Sequence, residues 1–130
     1  MILWGLKTAA MFDVWSVEHV LSGISVGSVA ARFGRRTTSL LAVLLAAYAW
    51  ETFEHYLETG LAGSGVQWWF QGVEHWSNRL IADPMMLVLG YFVAMRYPQG
   101  VKPARLLSFV WILVHVVAFP HSMYLHQWIP

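Results

Sequence analysis

The chain has 130 residues, of which 58% are hydrophobic and 12% are charged, and its formal net charge at pH 7 is +1. A soluble domain of this length covers its surface with more polar side chains, since about 25% of the residues in ordinary soluble domains are charged. The small net charge excludes a nucleic-acid binder that works by phosphate neutralisation. The absence of cysteine excludes disulfide bonds, thiolate nucleophiles and metal sites built on sulfur. The composition therefore indicates one integral membrane domain over residues 1–130.

Four apolar stretches follow one another along the chain, at about residues 11–31, 39–56, 80–97 and 105–125. Each is close to the ~20 residues that a helix needs to cross ~30 Å of hydrocarbon. Before the third stretch, residues 66–73 form an aromatic, amphipathic segment that predicts either a short helix on the membrane surface or a loop dipping into the headgroups. We expect an all-α fold, a four-helix transmembrane bundle with this interfacial helix before the third span.

The basic residues predict the orientation of the bundle. Six of them lie in the connections between spans one and two and between spans three and four, which contain no acidic residue: Arg32, Arg35, Arg36, Arg96, Lys102 and Arg105. The positive-inside rule places both connections in the cytoplasm and both termini outside. All acidic residues and most tryptophans then fall toward the outer side, where an interfacial aromatic belt is expected.

The end of the second span carries a polar helix face. Glu51, Glu54, His55 and Glu58 follow the spacing i, i+3, i+4 and i+7, which places them on one side of a helix. Helix bundles use carboxylate and imidazole groups in such positions to hold transition metals, so the pattern predicts a site for iron, manganese, copper or zinc. The alternative is that Glu54 and Glu58 are solvated residues at a helix end.

The first span combines polar and small residues. Glu18 and His19 lie about a third of the way into the membrane, where an unpaired charge is costly and a partner is needed. His19, Gly23 and Gly27 form one stripe, and small residues at this spacing allow another helix to approach closely. We expect the glycines to serve helix packing and Glu18 and His19 to join the metal or proton chemistry of span two.

A third polar group precedes and opens the third span. Glu74 and Asn78, His75 and Arg79, and Arg79 and Asp83 are i, i+4 neighbours on a helix. Asn78, Arg79 and Asp83 are therefore expected to form a structural polar cap at the outer interface. Glu74 and His75 repeat the Glu-His dipeptide of the other two spans at one depth, and they are expected to complete the metal group.

Span four contains His115 near its middle. We expect this histidine to form a hydrogen bond within the bundle. His121 and His126 are five residues apart and do not share a helix face, so this span is not expected to supply a two-histidine ligand pair. No nucleophile elbow and no phosphate-binding glycine loop is present.

Three segments resemble the VanZ-like group and its related small bacterial polytopic membrane proteins. They are residues 16–23, residues 50–55 and residues 72–90, with Trp50-Glu51 and the series from Glu74 through Asn78 and Asp83 carrying the similarity. The resemblance covers about half of the chain. It implies a helical fold in the bacterial inner or plasma membrane and an action on lipids or lipophilic antibiotics at the outer leaflet.

Three functions follow as expectations. The first is a non-catalytic accessory subunit of a larger membrane protein complex, because the chain is small and carries no complete catalytic motif. The second is a metal-dependent membrane enzyme or metal-site protein that uses the Glu and His cluster. The third is the VanZ-like role. Membrane lipids and either a larger complex or a second copy of the chain are the expected partners, and nucleic acid is not.

Overall fold

The computed structural model describes residues 2–70 and 72–117, which are predominantly helical, so the predicted all-α class is confirmed. The helices are α1 (Trp15–Ala30), α2 (Arg36–Glu58), α3 (Ser64–Phe70), α4 (Asp83–Arg96) and α5 (Val101–Val117). A single π-helical turn, Asn78–Ala82, runs directly into α4. The helix α3 lies where the interfacial helix was predicted, while its position on a membrane surface stays a prediction.

One helical stretch among the described residues is long and apolar enough to cross a membrane. It runs over Asn78–Arg96, which is 19 residues with a mean hydropathy of 1.2. The helix α1 has only 16 residues, which is shorter than a membrane span needs. The helix α2 is long enough, but it carries charged residues toward its C-terminal end. The predicted fourth span extends to residue 125, beyond the described residues. The four-span bundle is therefore not confirmed and stays a prediction.

The chain begins with two short strands that the sequence did not predict, β1 (Ile2–Trp4) and β2 (Ala10–Phe12). They pair in parallel, with Ile2 opposite Ala10. The first helix starts at Trp15 rather than near residue 11 because the Asp13 side chain caps it. Asp13 Oδ1 accepts hydrogen bonds from the backbone N–H of Trp15 at 2.7 Å and of Ser16 at 3.1 Å.

The helices α1 and α4 pack with their backbones in contact. A Cβ atom on Gly23 would lie 2.2 Å from the carbonyl oxygen of Leu87, and one on Gly27 would lie 2.6 Å from the Cα atom of Tyr91. From the opposite side, a Cβ atom on Gly90 would lie 2.3 Å from the carbonyl oxygen of Val20. Only glycine permits this separation, so these residues set the distance between the two helices.

Apolar and polar interiors occupy opposite ends of the bundle. Val43 and Ala47 of α2 pack against Leu87 and Tyr91 of α4 and form one hydrophobic cluster of the core. Toward the other ends of the same helices, α2 carries Glu51 through Glu58 and α4 begins with Asp83. The polar end therefore gathers charged groups from several elements, and the candidate site lies there.

Candidate metal centre

Carboxyl groups outnumber cations in the interior of the described structure. Six buried carboxyl side chains are present, together with one buried lysine, Lys7: Asp13, Glu18, Glu51, Glu58, Glu74 and Asp83. Buried charges in proteins are paired with opposite charges or coordinate metal ions, and otherwise they take up protons. The polar end of the bundle therefore needs further positive charge, either as protons or as a metal ion.

Three side chains from three helices converge in the first part of this cluster: His19 of α1, Glu51 of α2 and Asp83 of α4. All three are buried. His19 Nε2 lies 3.4 Å from Asp83 Oδ2 and 3.9 Å from Glu51 Oε1. One donor atom from each residue lies within 4.8 Å of the other two. We call these residues the histidine triad.

The histidine triad fits the dimensions of a bound ion. A tetrahedral ion at about 2.1 Å from its donors holds them about 3.4 Å apart. The nitrogen of His19 and Oδ2 of Asp83 already have this separation, whereas Glu51 Oε1, at 3.9 Å from the nitrogen, would move closer on binding. One imidazole and two carboxylates are ligands that zinc, iron and manganese accept.

Two carboxylate oxygens in the histidine triad receive no hydrogen bond from the described residues. They are Glu51 Oε2 and Asp83 Oδ2, and the two side chains are 2% and 0% exposed. Ser16 Oγ donates to the other oxygen of Asp83 at 3.4 Å. An unpaired buried carboxylate oxygen is unfavourable, and a metal ion among the three residues would remove this cost.

A second group of three carboxylates lies beside the first. Glu54, Glu58 and Glu74 each place one oxygen within 4.8 Å of the other two. We call them the carboxylate triad. The ammonium group of Lys7 pairs with Glu58 Oε1, and the other oxygen of Glu58 accepts the backbone N–H of Glu74 at 3.1 Å. Since Lys7 already supplies a positive charge here, the histidine triad is the better candidate for an added cation.

The surroundings shift the pKa values of Lys7 and Glu74. Burial raises the pKa of Glu74 well above its usual range, and the neighbouring Glu54 and Asp83 carboxyl groups raise it further. Burial acts to lower the pKa of Lys7, but the attraction of Glu58 and Glu74 outweighs it and the pKa lies above the usual value. Lys7 is therefore charged at neutral pH and acts as a fixed internal cation.

The N-terminal segment and the π-helical turn hold the two triads together. Asn78 is fully buried, and its Nδ2 group donates to Asp13 Oδ2 at 3.1 Å. The backbone N–H of His75 donates to the carbonyl oxygen of Lys7 at 2.8 Å. These contacts join the residues on either side of β2 to the segment before α4.

The expected polar cap has a different arrangement from the one predicted. Arg79 donates to Nδ1 of His55, and the described structure contains no ion pair between Arg79 and Asp83. The physical reason is the π-helical turn, in which the N–H of Asp83 bonds to the carbonyl oxygen of Asn78 five residues earlier. The extra residue removes the i, i+4 relation and turns Asp83 inward, toward His19.

The remaining predicted site residues lie outside both triads. His55 is held by Arg79, and His75 Nδ1 is within 2.8 Å of Ser77 Oγ. Glu18 accepts a hydrogen bond from Ser108 Oγ on α5. Of the predicted metal group, the triads therefore contain His19, Glu51, Glu54 and Glu74.

The sequence analysis did not assign Asp83 to the metal group, and it did not identify Lys7 as an internal cation. Asp83 was assigned to the cap, because the π-helical turn has no signature in the sequence. Glu58 was placed on the polar face of α2, with a solvated helix end as the alternative, and its spacing to Glu51 was the available signal. Nothing in the local sequence indicates that Lys7 is buried.

No family model, curated protein or solved structure matches this chain. The resemblance to the VanZ-like group therefore stays a prediction.

Proposed function

We propose that this chain is an integral membrane protein that binds a divalent transition-metal ion at His19, Glu51 and Asp83. One observation carries the proposal: a buried imidazole and two buried carboxylates from three helices place donor atoms within 4.8 Å of one another, and each carboxylate has an oxygen that receives no hydrogen bond from the described residues.

The distribution of polarity supports the membrane part of the proposal. Among the described residues, many charged side chains are buried while large hydrophobic ones cover the surface. On α5, Leu106, Phe109 and Val117 are 64%, 63% and 72% exposed. Water penalises such a surface and lipid does not, so a bilayer is the environment that suits both the surface and the interior.

The ligand set restricts the metal and its role. Copper(I) prefers sulfur, and magnesium prefers an all-oxygen shell with several waters, so zinc, copper(II), iron(II) and manganese(II) are the candidates. Three protein ligands leave at least one coordination position for water or substrate, which is the arrangement of catalytic rather than structural zinc sites. We therefore propose a metal-dependent membrane enzyme, with activation of a bound water as the chemistry that the ion supplies.

Metal analysis of the purified protein in detergent tests the proposal. The expected result for the natural chain is about one equivalent of transition metal, as for a three-ligand site. Asp83→Asn and Glu51→Gln should each lose it, because an amide binds these metals poorly. Glu18→Gln is the matched control, since Glu18 is also a buried carboxyl next to His19 but lies outside the triad. A metal-free natural chain, or equal loss in the control, contradicts the proposal.

The accessory-subunit role is a separate prediction. The exposed apolar residues of α2 and α5 that would contact a partner are the same ones that would contact lipid. Solubilisation of native membranes in a mild detergent distinguishes contact with a partner protein from contact with lipid. Co-purification of a stoichiometric protein supports the accessory role, and recovery of the chain alone contradicts it.

A further inference from the structure

A cavity of about 250 Å³ lies between α1, α2, α3 and α5. Its apolar wall is made of five side chains, four of them aromatic: Trp15, Trp50, Trp69, Phe70 and Ile112. Its polar wall is made of two carboxyl groups and two imidazoles: Glu18, Glu54, His19 and His115. Sites for small ligands combine an apolar wall with a few convergent polar groups, and this cavity has that composition.

The two carboxyl groups of the wall lie apart from the basic side chains of the described residues. Glu18 is 6% exposed and accepts a hydrogen bond from Ser108 Oγ on α5. No described lysine or arginine lines the cavity or forms an ion pair with Glu18 or Glu54, and the buried Lys7 pairs with Glu58 instead. A buried carboxylate is stabilised by an opposite charge, so this wall favours a ligand that brings a positive charge.

The aromatic wall favours the same charge. The face of an aromatic ring attracts a cation, and the indole ring of tryptophan does so most strongly. Three indole rings and one phenyl ring line this cavity. A metal ion such as calcium or magnesium prefers a shell made of oxygen alone. An ammonium ion with apolar substituents can contact ring faces and carboxylates together, so the cavity suits an organic cation.

Neither the imidazoles nor the proposed metal ion reverses this preference. Imidazole groups ordinarily lose their charge near pH 6.5, so at pH 8 the carboxylates are the charged groups of the wall. A divalent ion in the histidine triad would be balanced by the two negative charges of Glu51 and Asp83, which do not line the cavity. The carboxylates of Glu18 and Glu54 therefore attract a cation whether or not the ion is bound.

The size and one edge of the cavity indicate a ligand with an alkyl chain. Its volume is below the 300–1,000 Å³ typical of complete ligand sites, so it accommodates a head group and only part of a chain. Two of its lining residues, Trp50 and Ile112, are 47% and 45% exposed on the apolar outer surface. An alkyl chain can leave the cavity at this edge.

We propose that the cavity binds an alkylammonium ion, with the ammonium group among the aromatic rings and beside the carboxylates of Glu18 and Glu54. The alkyl chain points toward the outer surface at Trp50 and Ile112. This site is separate from the proposed metal centre, and it rests on the cavity and the charges of its wall.

Equilibrium binding of a tritiated probe to the full chain in maltoside detergent at pH 8 tests the site, with protein-free micelles as the background. The probe is a hexanol chain that bears a trimethylammonium group at its far end. The competitors are the unlabelled probe and the same chain with an uncharged tert-butyl group or a carboxylate in place of the ammonium group. The ammonium compound should displace the probe at a concentration at least about tenfold below that of either other compound. Equal displacement by the tert-butyl compound or by the carboxylate overturns the proposal.

A pair of matched substitutions tests the carboxylate. Glu18→Gln removes a negative charge from the wall and should raise the dissociation constant of the probe by about tenfold or more. Glu74→Gln is the control, because Glu74 is also 6% exposed but does not line the cavity. Equal weakening in the two variants overturns the proposal.

A second pair tests the aromatic wall and does not depend on a buried carboxyl group. Trp50→Leu keeps an apolar side chain but removes a ring, and it should weaken probe binding by about threefold or more. Trp76→Leu is the control, because Trp76 is 56% exposed and does not line the cavity. Unchanged binding in Trp50→Leu contradicts the placement of the ammonium group among the rings.

Metal content measured on the same samples distinguishes this proposal from the proposed function. Selective binding of the ammonium probe to a metal-free natural chain supports the cavity and contradicts the metal centre. A metal-loaded natural chain without selective binding overturns the cavity proposal alone.

Discussion

Lys7 is the residue on which the charge balance of the described interior depends. It is 1% exposed and pairs with Glu58, which is fully buried. Because the pair is formed between the N-terminal segment and the end of α2, it also ties the two short strands to the helices. A local sequence pattern cannot indicate such a contact between residues 51 positions apart.

Replacement of Lys7 by an uncharged residue should destabilise the protein strongly. Lys7→Met leaves Glu58 as an uncompensated buried carboxylate, and breaking a buried pair in this way costs about 3–5 kcal/mol. Lys102→Met, which removes an exposed lysine, is the control and should change the free energy of unfolding little. Thermal and denaturant unfolding in detergent measure the difference.

A second substitution distinguishes loss of the pair from loss of packing. In Lys7→Met/Glu58→Gln the buried charge is absent, so most of the stability lost in Lys7→Met should return. A double variant as unstable as Lys7→Met would mean that the side chain of Lys7 stabilises the fold by its packing and not by its charge.

At the scale of elements, the contact between α1 and α4 controls the geometry of the histidine triad. Gly23 lies one helical turn after His19, and Leu87, whose carbonyl it contacts, lies one turn after Asp83. The close approach of these two helices therefore determines how near the imidazole comes to the carboxylate. Gly23 therefore affects both the packing of α1 on α4 and the geometry of the histidine triad.

Gly23→Ala should consequently weaken metal binding without altering a ligand. The added methyl group forces the helices apart, at a cost of about 1–3 kcal/mol in stability. Metal affinity should fall by about tenfold, as when the support of a ligand is removed. Competition with a metal chelator measures the affinity. Gly100→Ala is the control because no atom lies within 4 Å of its added methyl group, and a Gly23→Ala variant with unchanged affinity would contradict the coupling.

The polar face of α2 could be predicted from the sequence, whereas the contribution of α4 could not. The helix α2 is uninterrupted, so the spacing of Glu51, Glu54 and Glu58 translates directly into a shared face. The turn before α4 departs from α-helical geometry. There the i, i+4 rule pairs Arg79 with Asp83, whereas in the structure Arg79 donates to His55. Periodicity predicts side-chain direction only where the helix is regular.

At the scale of the whole molecule, the metal ion should contribute to stability. An ion that binds only the folded state stabilises it by about 2.7 kcal/mol when its free concentration is 100 times its dissociation constant. Addition of a chelator should therefore lower the melting temperature of the natural chain. Asp83→Asn is expected to melt at the same temperature with and without the chelator, and a natural chain that does not respond to the chelator would count against the metal site.

The predicted orientation in the membrane can be tested with single cysteines, since the natural chain has none. Ser64 and Gln99 are both exposed, and they lie in connections that are predicted to face opposite sides. In intact cells, a membrane-impermeant maleimide should label Ser64→Cys and should label Gln99→Cys only after permeabilisation. Labelling of Gln99→Cys in intact cells would show that the orientation is the opposite of the predicted one.

The π-helical turn at Asn78–Ala82 has a consequence for how the length of this chain can change. Such a turn holds one residue more than the α-helical turn that it replaces. Deleting one residue between Asn78 and Asp83 would leave these two residues four apart, which is the same face of a regular helix. A change of one amino acid in length at this turn is therefore compatible with an inward direction of both side chains.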